Sequence, residues 1–187
     1  MKTLSLLRHA KSSWDDTVER DFDRPVNEKG LRAATRIGEW LRQQALHFDH
    51  VLASPARRVQ QTIAGIEQGY GAAIPAIAEQ RIYLASAATL FSLIRATPDQ
   101  YDHLLLIGHN PGIEDLLLLA SEGDSSKLRR EAEAKYPTAS YAQLALPVAH
   151  WSEVEEGLPG RLRFFVRPRD LDPALGPDME PDTGAHA

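Results

Sequence analysis

Short, nearly continuous apolar runs alternate along the chain with longer amphipathic stretches. The runs at residues 3–7 and 104–107 are too short for two helical turns, which is typical of buried strands. In residues 27–44 the apolar positions instead recur at helical spacing, and Asn27 is suited to cap the start of that helix. The whole pattern predicts strands at residues 3–7, 50–53, 74–78, 104–107, 140–146 and 162–166, and helices at residues 27–44, 55–66, 87–96, 112–120 and 127–135.

The order of these elements indicates an α/β fold. Strands that alternate with helices form a sheet whose two faces are both covered by helices. The last two predicted strands have no long helix between them, which favours an antiparallel pair at one edge. The predicted architecture is a three-layer α/β/α sandwich with a mostly parallel central sheet and an antiparallel edge.

A length of 187 residues suits a single domain, which we place at residues 1–170. The remaining residues 171–187 hold three prolines and almost no large apolar side chains. They also carry four carboxylates and no Lys or Arg: Asp172, Asp178, Glu180 and Asp182. This composition predicts an acidic, Pro-rich and disordered tail.

The composition narrows the classes of function. A net charge of −5 argues against a general nucleic-acid binder, and no window reaches the ~18 apolar residues of a membrane span. The sequence contains no cysteine, which excludes a thiolate nucleophile and fits a reducing compartment. We therefore expect a cytoplasmic protein without membrane or nucleic-acid partners. The sequence leaves the oligomeric state open. The charged residues 121–137 form either a solvated helix, which is favoured, or a docking face.

Chemically active side chains gather where predicted strands give way to helices. Three such junctions carry cations, imidazoles or a hydroxyl: Arg8 and His9, then Ser54, Arg57 and Arg58, then His109. If these strands run parallel, all three junctions fall on the same edge of the sheet, where α/β proteins bind ligands. Two imidazoles and at least one guanidinium would then face one crevice beside helix N-termini, which favour anions. The pattern predicts a site for a dianionic phosphoryl group.

Several mechanisms are disfavoured by what the sequence lacks. It has no P-loop and no acidic cluster of the two-metal type. A neutral histidine can attack phosphorus directly, and neighbouring cations keep it unprotonated. Two alternatives compete: Arg8 and His9 could be solvated at a strand end, or His9 and His109 could bind a metal. No third ligand is evident and nearby arginines would repel a cation, so we expect no metal.

Three segments together resemble the histidine phosphatase superfamily, which contains the cofactor-dependent phosphoglycerate mutases. They are "LLRHAKSSW", with Ala10 in place of the usual glycine, "SPARRVQQT" and "IGHNPG", in that order. Further segments are similar to the small SixA-type phosphohistidine phosphatases: "DRPVNEKG", "IYLAS", "LLLIGHNPGIEDL", "YPTASYAQL" and "FFVRPRDL". The resemblance covers nearly all of residues 1–170.

The resemblance implies a phosphoglycerate mutase-like fold without a helical insertion domain. It implies His9 as the nucleophile, with Arg8, Arg58 and His109 clamping the phosphoryl oxygens. The register of "SPARRVQQT" makes Arg58, not Arg57, the phosphate-binding arginine. Further substrate-binding candidates are Ser54 and Asn110, and no cofactor is expected.

The proton donor is left open by the sequence. Glu79 lies roughly where relatives place a catalytic glutamate. Asp15 follows Trp14, where the mutase branch has an asparagine that touches phosphate. The rival carboxylates are each interpreted as plain loop residues: Asp16, Asp21 and Asp23.

The function that the resemblance implies is a phosphatase that removes phosphate from phosphohistidine on a signalling protein, such as a histidine phosphotransfer domain. One alternative keeps this chemistry and takes a small phosphomonoester or sugar phosphate as substrate. Another is a non-catalytic, phosphate-binding regulatory module.

Overall fold

A six-stranded sheet forms the centre of the fold in the computed structural model, which describes residues 1–13 and 20–177. The strands are β1 (Lys2–Arg8), β2 (His50–Ala53), β3 (Ile77–Ala78), β4 (His103–Gly108), β5 (Tyr141–Leu146) and β6 (Arg161–Val166). The α-helices are α1 (Glu28–Gln43), α2 (Arg57–Tyr70), α3 (Ala87–Arg95), α4 (Gly112–Leu119), α5 (Lys127–Ala134) and α6 (Pro168–Leu171).

The strand order is β3-β2-β4-β1-β5-β6. Strands β1 to β4 pair in parallel, whereas β5 runs antiparallel to both β1 and β6. The segment between β5 and β6 contains only a short 3-10 helix at Trp151–Glu153, so the chain turns back beside the strand it has just left. The prediction of a mostly parallel sheet with an antiparallel edge is confirmed.

Side chains from the sheet form a core on each of its faces. Leu4 and Leu6 of β1 pack on one side with residues of α3 and α4, while Leu7 packs on the other with α1 and α2. Strand β4 divides in the same way, with Leu106 on the first side and Leu105 on the second. Because alternate residues of a strand face opposite sides, an apolar run reaches both cores, and the three-layer arrangement is confirmed.

Helices α1 and α2 pack through glycines. A Cβ on Gly38 would lie 2.1 Å from the carbonyl oxygen of Ile66, and one on Gly69 would lie 2.0 Å from that of Thr35. Gly69 thus permits the close approach of α1, and α2, which the sequence predicts to end at residue 66, continues past this glycine to Tyr70. The helix ends at Gly71, which has a φ of 79°.

The bounds of several other helices and strands differ from the predicted bounds by a few residues. The Asn27 side chain caps α1 as predicted, accepting a hydrogen bond of 2.8 Å from the backbone N–H of Gly30. Leu31 is one of the apolar positions that recur at helical spacing in residues 27–44 and was expected to be buried, but it is 41% exposed. The strand predicted at residues 74–78 is reduced to Ile77–Ala78, and α2 begins at Arg57.

The chain continues in regular structure past the predicted domain boundary at residue 170. Helix α6 ends at Leu171, and a 3-10 helix follows at Pro173–Leu175, where the sequence predicts disorder. Leu175 packs against the core beside α1, and Lys29 donates a hydrogen bond to the carbonyl oxygen of Gly176. A few apolar contacts thus hold this segment despite its proline content. Residues 178–187 lie outside the described part of the chain.

Within residues 1–13 and 20–177, none of the helices combines the length and apolarity that crossing a membrane requires.

We expect Gly69→Ala to lower the free energy of unfolding by about 1–3 kcal/mol, because the added methyl group meets the α1 backbone. In an open helix the same change would stabilise the protein by roughly 0.5–1 kcal/mol. Urea denaturation measures the difference, with Gln68→Ala on the exposed face of α2 as the control. A Gly69→Ala variant as stable as the wild type would contradict the close packing.

Candidate active site

The register of the parallel strands brings the three predicted junctions together. Arg8 of β1 pairs with Gly108 of β4, so His9 and His109 leave the sheet side by side. The backbone N–H of His9 donates to the carbonyl oxygen of Gly108 at 3.0 Å. The two imidazole ring centroids are 5.1 Å apart. Ser54, which follows β2, joins the same edge through its N–H to the carbonyl oxygen of Ile107.

Arg58 lies between the two imidazoles. It occupies the first turn of α2 and is only 3% exposed. Its Nε donates to His9 Nε2 at 3.3 Å, and its Nη2 donates to His109 Nδ1 at 3.2 Å. One guanidinium therefore contacts both rings, as the predicted clustering requires, whereas Arg57 beside it is exposed.

These contacts fix where the imidazole protons reside. A guanidinium can only donate hydrogen bonds, so His9 Nε2 and His109 Nδ1 must each present a lone pair to Arg58. The other nitrogen of each ring faces an oxygen: His9 Nδ1 donates to the carbonyl oxygen of Ala10 at 2.8 Å, and His109 Nε2 lies 2.8 Å from Ser54 Oγ. Both rings are therefore neutral, and His9 has its basic lone pair on Nε2.

Burial and local charge explain this neutrality. Burial, with the charges of Arg58, Arg8 and Arg24, lowers the pKa of His9 from 6.5 to about 4, although the bond to the Ala10 carbonyl opposes the shift. Burial and the proximity of His9 and the arginines lower the pKa of His109 to about 3. An unprotonated imidazole at neutral pH is the form that can act as a nucleophile.

A carboxylate that the sequence did not single out completes the cluster. Asp21 accepts hydrogen bonds from Arg58 Nη2 at 2.9 Å, from the Tyr83 hydroxyl at 2.8 Å and from Arg24 Nη1 at 2.8 Å. Partial burial opposes ionisation, but the bonds from Tyr83 and Arg24 and the charge of Arg58 lower the pKa of Asp21 to about 2. The Tyr83 ring also packs edge-on against His109, with centroids 5.4 Å apart.

The sequence held only indirect signals for these three residues. Asp21 was interpreted as a plain loop carboxylate, because nothing local shows which of several loop carboxylates reaches an arginine of α2. Arg24 and Tyr83 lie in the segments "DRPVNEKG" and "IYLAS", which resemble the SixA type without marking a role for either side chain.

Arg8 and Asn110 meet at a shared backbone oxygen. Arg8 Nη1 donates to the carbonyl oxygen of Tyr136 at 2.7 Å, and Asn110 Nδ2 lies 3.2 Å from the same atom. Asn110 Nδ2 also donates to Glu114 Oε2 at 2.7 Å. Arg8 Nε and Asn110 Oδ1 are buried and have no hydrogen-bond partner among the residues that the structure describes. Both side chains are thus anchored at one end and have bonding capacity left at the other.

Of the two candidate proton donors, Glu79 lies in the described part of the chain. Glu79 follows β3 at the same edge of the sheet, and its N–H donates to the carbonyl oxygen of Ala53. Its carboxylate pairs with Arg81 through bonds of 3.0 and 2.9 Å, and these bonds lower the pKa of Glu79 to about 2. Asp15 lies outside the described residues.

In the described ranges, 1–13 and 20–177, no three His, Cys, Asp or Glu side chains form a group that could hold a metal ion. Arg58 contacts both His9 and His109.

Comparisons with known proteins agree with this geometry. The family model of the histidine phosphatase superfamily (branch 1) matches residues 4–83. An uncharacterised protein of Mycobacterium tuberculosis is 35% identical over 162 residues, which cover 86% of this chain and 99% of the relative. The chain therefore belongs to the histidine phosphatase superfamily.

Two solved structures indicate which type of histidine phosphatase the chain is similar to. One is assigned as a phosphohistidine phosphatase SixA from Nakamurella multipartitia, with 27% identity, a TM-score of 0.74 and coverage of 89% of this chain and 96% of that one. The other is assigned as SixA from Agrobacterium tumefaciens, with 29% identity, a TM-score of 0.73 and coverage of 89% and 98%. Within the superfamily the chain is of the SixA type, and it is a phosphatase. The phosphoglycerate mutase-like fold is confirmed, with no helical insertion domain in the described residues.

We expect the imidazole of His9 to titrate with an apparent pKa of about 4 instead of 6.5. The unfolded chain binds this proton at a higher pH than the folded one, so the contribution to stability declines as the pH falls from 6.5 towards 4. NMR titration of the histidine Cε1–H signals measures the value, and His9→Gln assigns the signal. A titration near 6.5 would show that the ring is not buried beside the arginines.

Proposed function

We propose that this phosphatase hydrolyses phosphohistidine on a protein, through a phosphohistidine intermediate on His9. The observation that carries the proposal is the tautomer of His9, whose Nδ1 proton is directed to the Ala10 carbonyl while Nε2 keeps its lone pair. A ring held in this way loses no proton before it bonds to phosphorus, and the phosphoryl group would replace Arg58 Nε as the partner of this lone pair.

The proposed reaction has two displacements. In the first, the lone pair of His9 Nε2 forms a bond to phosphorus, the P–N bond of the substrate breaks, and the leaving imidazole takes up a proton. In the second, water attacks the phosphoryl group on His9, the new P–N bond breaks, and inorganic phosphate leaves. Arg8 and Arg58 would stabilise the negative charge on the phosphoryl oxygens in both steps, and His109 would do so by turning its Nε2–H from Ser54 to a phosphoryl oxygen.

In the proposal, Asp21 holds the guanidinium of Arg58 in place. Without substrate, Arg58 donates to both the backbone carbonyl and the carboxylate of Asp21. A phosphoryl group bound to the same guanidinium would share or replace these bonds. We assign Asp21 as a positioning residue, because it fixes the guanidinium through two of its nitrogens and leaves Nε towards His9.

The chemical class of the substrate determines how much the reaction depends on a proton donor. Glu79 and Asp15 stay our candidates for the general acid. An ionised Glu79 held by Arg81 would have to be released and protonated before it could donate. A leaving imidazole is basic enough to be protonated readily, so a phosphoramidate needs less help from an acid than a phosphate ester does. The weak sequence signal for a general acid is therefore compatible with a substrate that carries a P–N bond.

We expect the enzyme to release phosphate from a phosphohistidine-bearing phosphotransfer domain, and His9→Ala to abolish that release because no neighbouring group replaces the nucleophile. Release is measured at micromolar enzyme. Rapid quench under alkaline conditions should trap phosphate on the wild-type enzyme in a form that acid removes.

A panel of sugar phosphates and other small phosphomonoesters serves as the comparison. A specificity constant for one of them far above that for the phosphohistidine protein would reject the protein substrate. It would not contradict the proposed intermediate on His9. Activity that persists in His9→Ala would reject the chemistry itself.

We expect Arg58→Ala to lower kcat by ~10²–10³, because the contacts of the guanidinium with the phosphoryl oxygens strengthen in the transition state. Arg57→Ala is the matched control, since the neighbouring side chain is exposed and should leave kcat nearly unchanged. Steady-state kinetics with p-nitrophenyl phosphate measure both. Equal losses in the two variants would mean that the clamp does not depend on Arg58.

A further inference from the structure

Leu84 combines two features that each cost free energy in the folded chain. Its side chain is apolar, yet 56% of its surface is exposed. Its backbone has a φ of 50°, in the left-handed region, where the Cβ atom of an L-residue comes too close to the following carbonyl oxygen. A single exposed leucine is ordinary on a protein surface, but one whose backbone is also strained requires an explanation.

The other residues with a left-handed backbone have smaller side chains. In residues 1–13 and 20–177 they are two alanines and three glycines: Ala45, Ala139, Gly71, Gly123 and Gly157. Glycine adopts this conformation without a steric cost, and asparagine tolerates it better than leucine does. The conformation of the turn therefore does not explain why position 84 holds a leucine.

The surrounding fold holds the backbone of Leu84 in place. Ile82 is 1% exposed and packs in the same core as residues of α3 and α4. The carbonyl oxygen of Ala85 lies so close to the start of α4 that a Cβ on Gly112 would be 2.0 Å from it. Because the chain is anchored before and after this position, the fold imposes the left-handed conformation on Leu84.

Leu84 lies at the rim of the proposed active site. Tyr83, which directly precedes it, packs edge-on against His109, and the Tyr83 ring centroid is 5.9 Å from the guanidinium carbon of Arg58. The Tyr83 hydroxyl also donates to Asp21. The part of a substrate that carries the phosphoryl group must extend past this rim, which brings it near the exposed leucine.

The chemistry of this rim suits an apolar group. A leucine side chain offers no hydrogen bond, so a polar group placed against it would lose contacts with water without replacement. Glu79 and Arg81 are the charged residues of the segment 79–85, and they pair with each other at 2.9 Å. Burial of apolar surface is favourable, by contrast. A sugar phosphate presents hydroxyl groups around its phosphoryl group, whereas a protein can present an apolar side chain.

We propose that Leu84 determines specificity by contacting an apolar side chain that lies next to the phosphohistidine on a protein substrate. This inference rests on the proposed function, because it assumes that the phosphohistidine of a protein reaches His9. The contact would bury the exposed leucine only while the substrate is bound. Its free energy then contributes to binding of the carrier and not to binding of the product phosphate.

The test uses the full chain with two substitutions at position 84. Leu84→Asn removes the apolar surface and keeps a side chain of similar size that tolerates the left-handed backbone. Leu84→Met retains an apolar side chain and is the conservative variant. Leu31→Gln is the matched control, because Leu31 is an exposed leucine on α1 and glutamine is a good helix former.

Two phosphohistidine peptides measure the contact. One has leucines on both sides of the phosphohistidine, and the other has glutamines at the same positions. We expect the wild type, Leu84→Met and Leu31→Gln to prefer the leucine peptide by about fivefold in kcat/KM, which corresponds to burial of one or two methylene groups. In Leu84→Asn this preference should fall to about twofold or less. Because the preference compares two substrates of one enzyme preparation, it does not depend on the fraction of the variant that folds.

Thermal unfolding separates this role from a structural one. We expect Leu84→Asn to unfold at the temperature of the wild type or above it, because asparagine relieves part of the backbone strain. A preference that Leu84→Asn keeps, together with a lower unfolding temperature, would assign Leu84 to the fold instead.

The results also separate this inference from the proposed function. A wild type that hydrolyses both peptides without a preference, or a preference that Leu84→Asn keeps, would overturn the contact and would not contradict the proposed function. Phosphoramidate has a P–N bond and no apolar carrier. If the wild type hydrolyses phosphoramidate and neither peptide, the proposed protein substrate fails, and the contact proposed for Leu84 fails with it.

Discussion

The arrangement of the site depends on one buried guanidinium that donates to two imidazoles. Because Arg58 has no lone pair to offer, each histidine must turn an unprotonated nitrogen towards it. This requirement fixes both tautomers at once and keeps both rings neutral. A protonated imidazole in this position would lose a hydrogen bond and face a positive charge at close range. The lone pair of His9 Nε2, which we propose as the nucleophile, is thus a consequence of where Arg58 is held.

The fold holds Arg58 through the contact between α2 and the end of β1. Thr62, one turn further along α2, donates its hydroxyl to the carbonyl oxygen of Arg58 and accepts from the N–H of Ala10. The same hydroxyl therefore joins the helix that carries the guanidinium to the loop that carries His9. Gly69, further along, lets α1 pack against α2 without a gap, which fixes the direction of the helix. Interactions outside the cluster of His9, Arg58 and His109 thereby set distances within it.

Much of this arrangement could be predicted because strand ends and parallel register follow from the sequence pattern. The apolar runs of β1 and β4 end at Arg8 and Gly108, and parallel pairing then places His9 beside His109. Long-range side-chain contacts have no such local signal. Asp21 reaches Arg58 across 37 residues of chain, and no spacing rule separates it from other loop carboxylates. The predicted end of α2 at residue 66 was too early for a related reason, since a glycine that ends a helix and one that admits a neighbour, such as Gly69, look alike in sequence.

Asp21 also reduces the binding energy that the arginines can provide to a phosphoryl group. Because its carboxylate already pairs with Arg58 and Arg24, a phosphoryl group that enters the site meets cations whose charge is partly neutralised. The gain from binding phosphate alone is then smaller than the number of arginines suggests, and free phosphate is less able to remain after hydrolysis. Contacts with a remote part of the substrate would supply the missing affinity without stabilising the product phosphate.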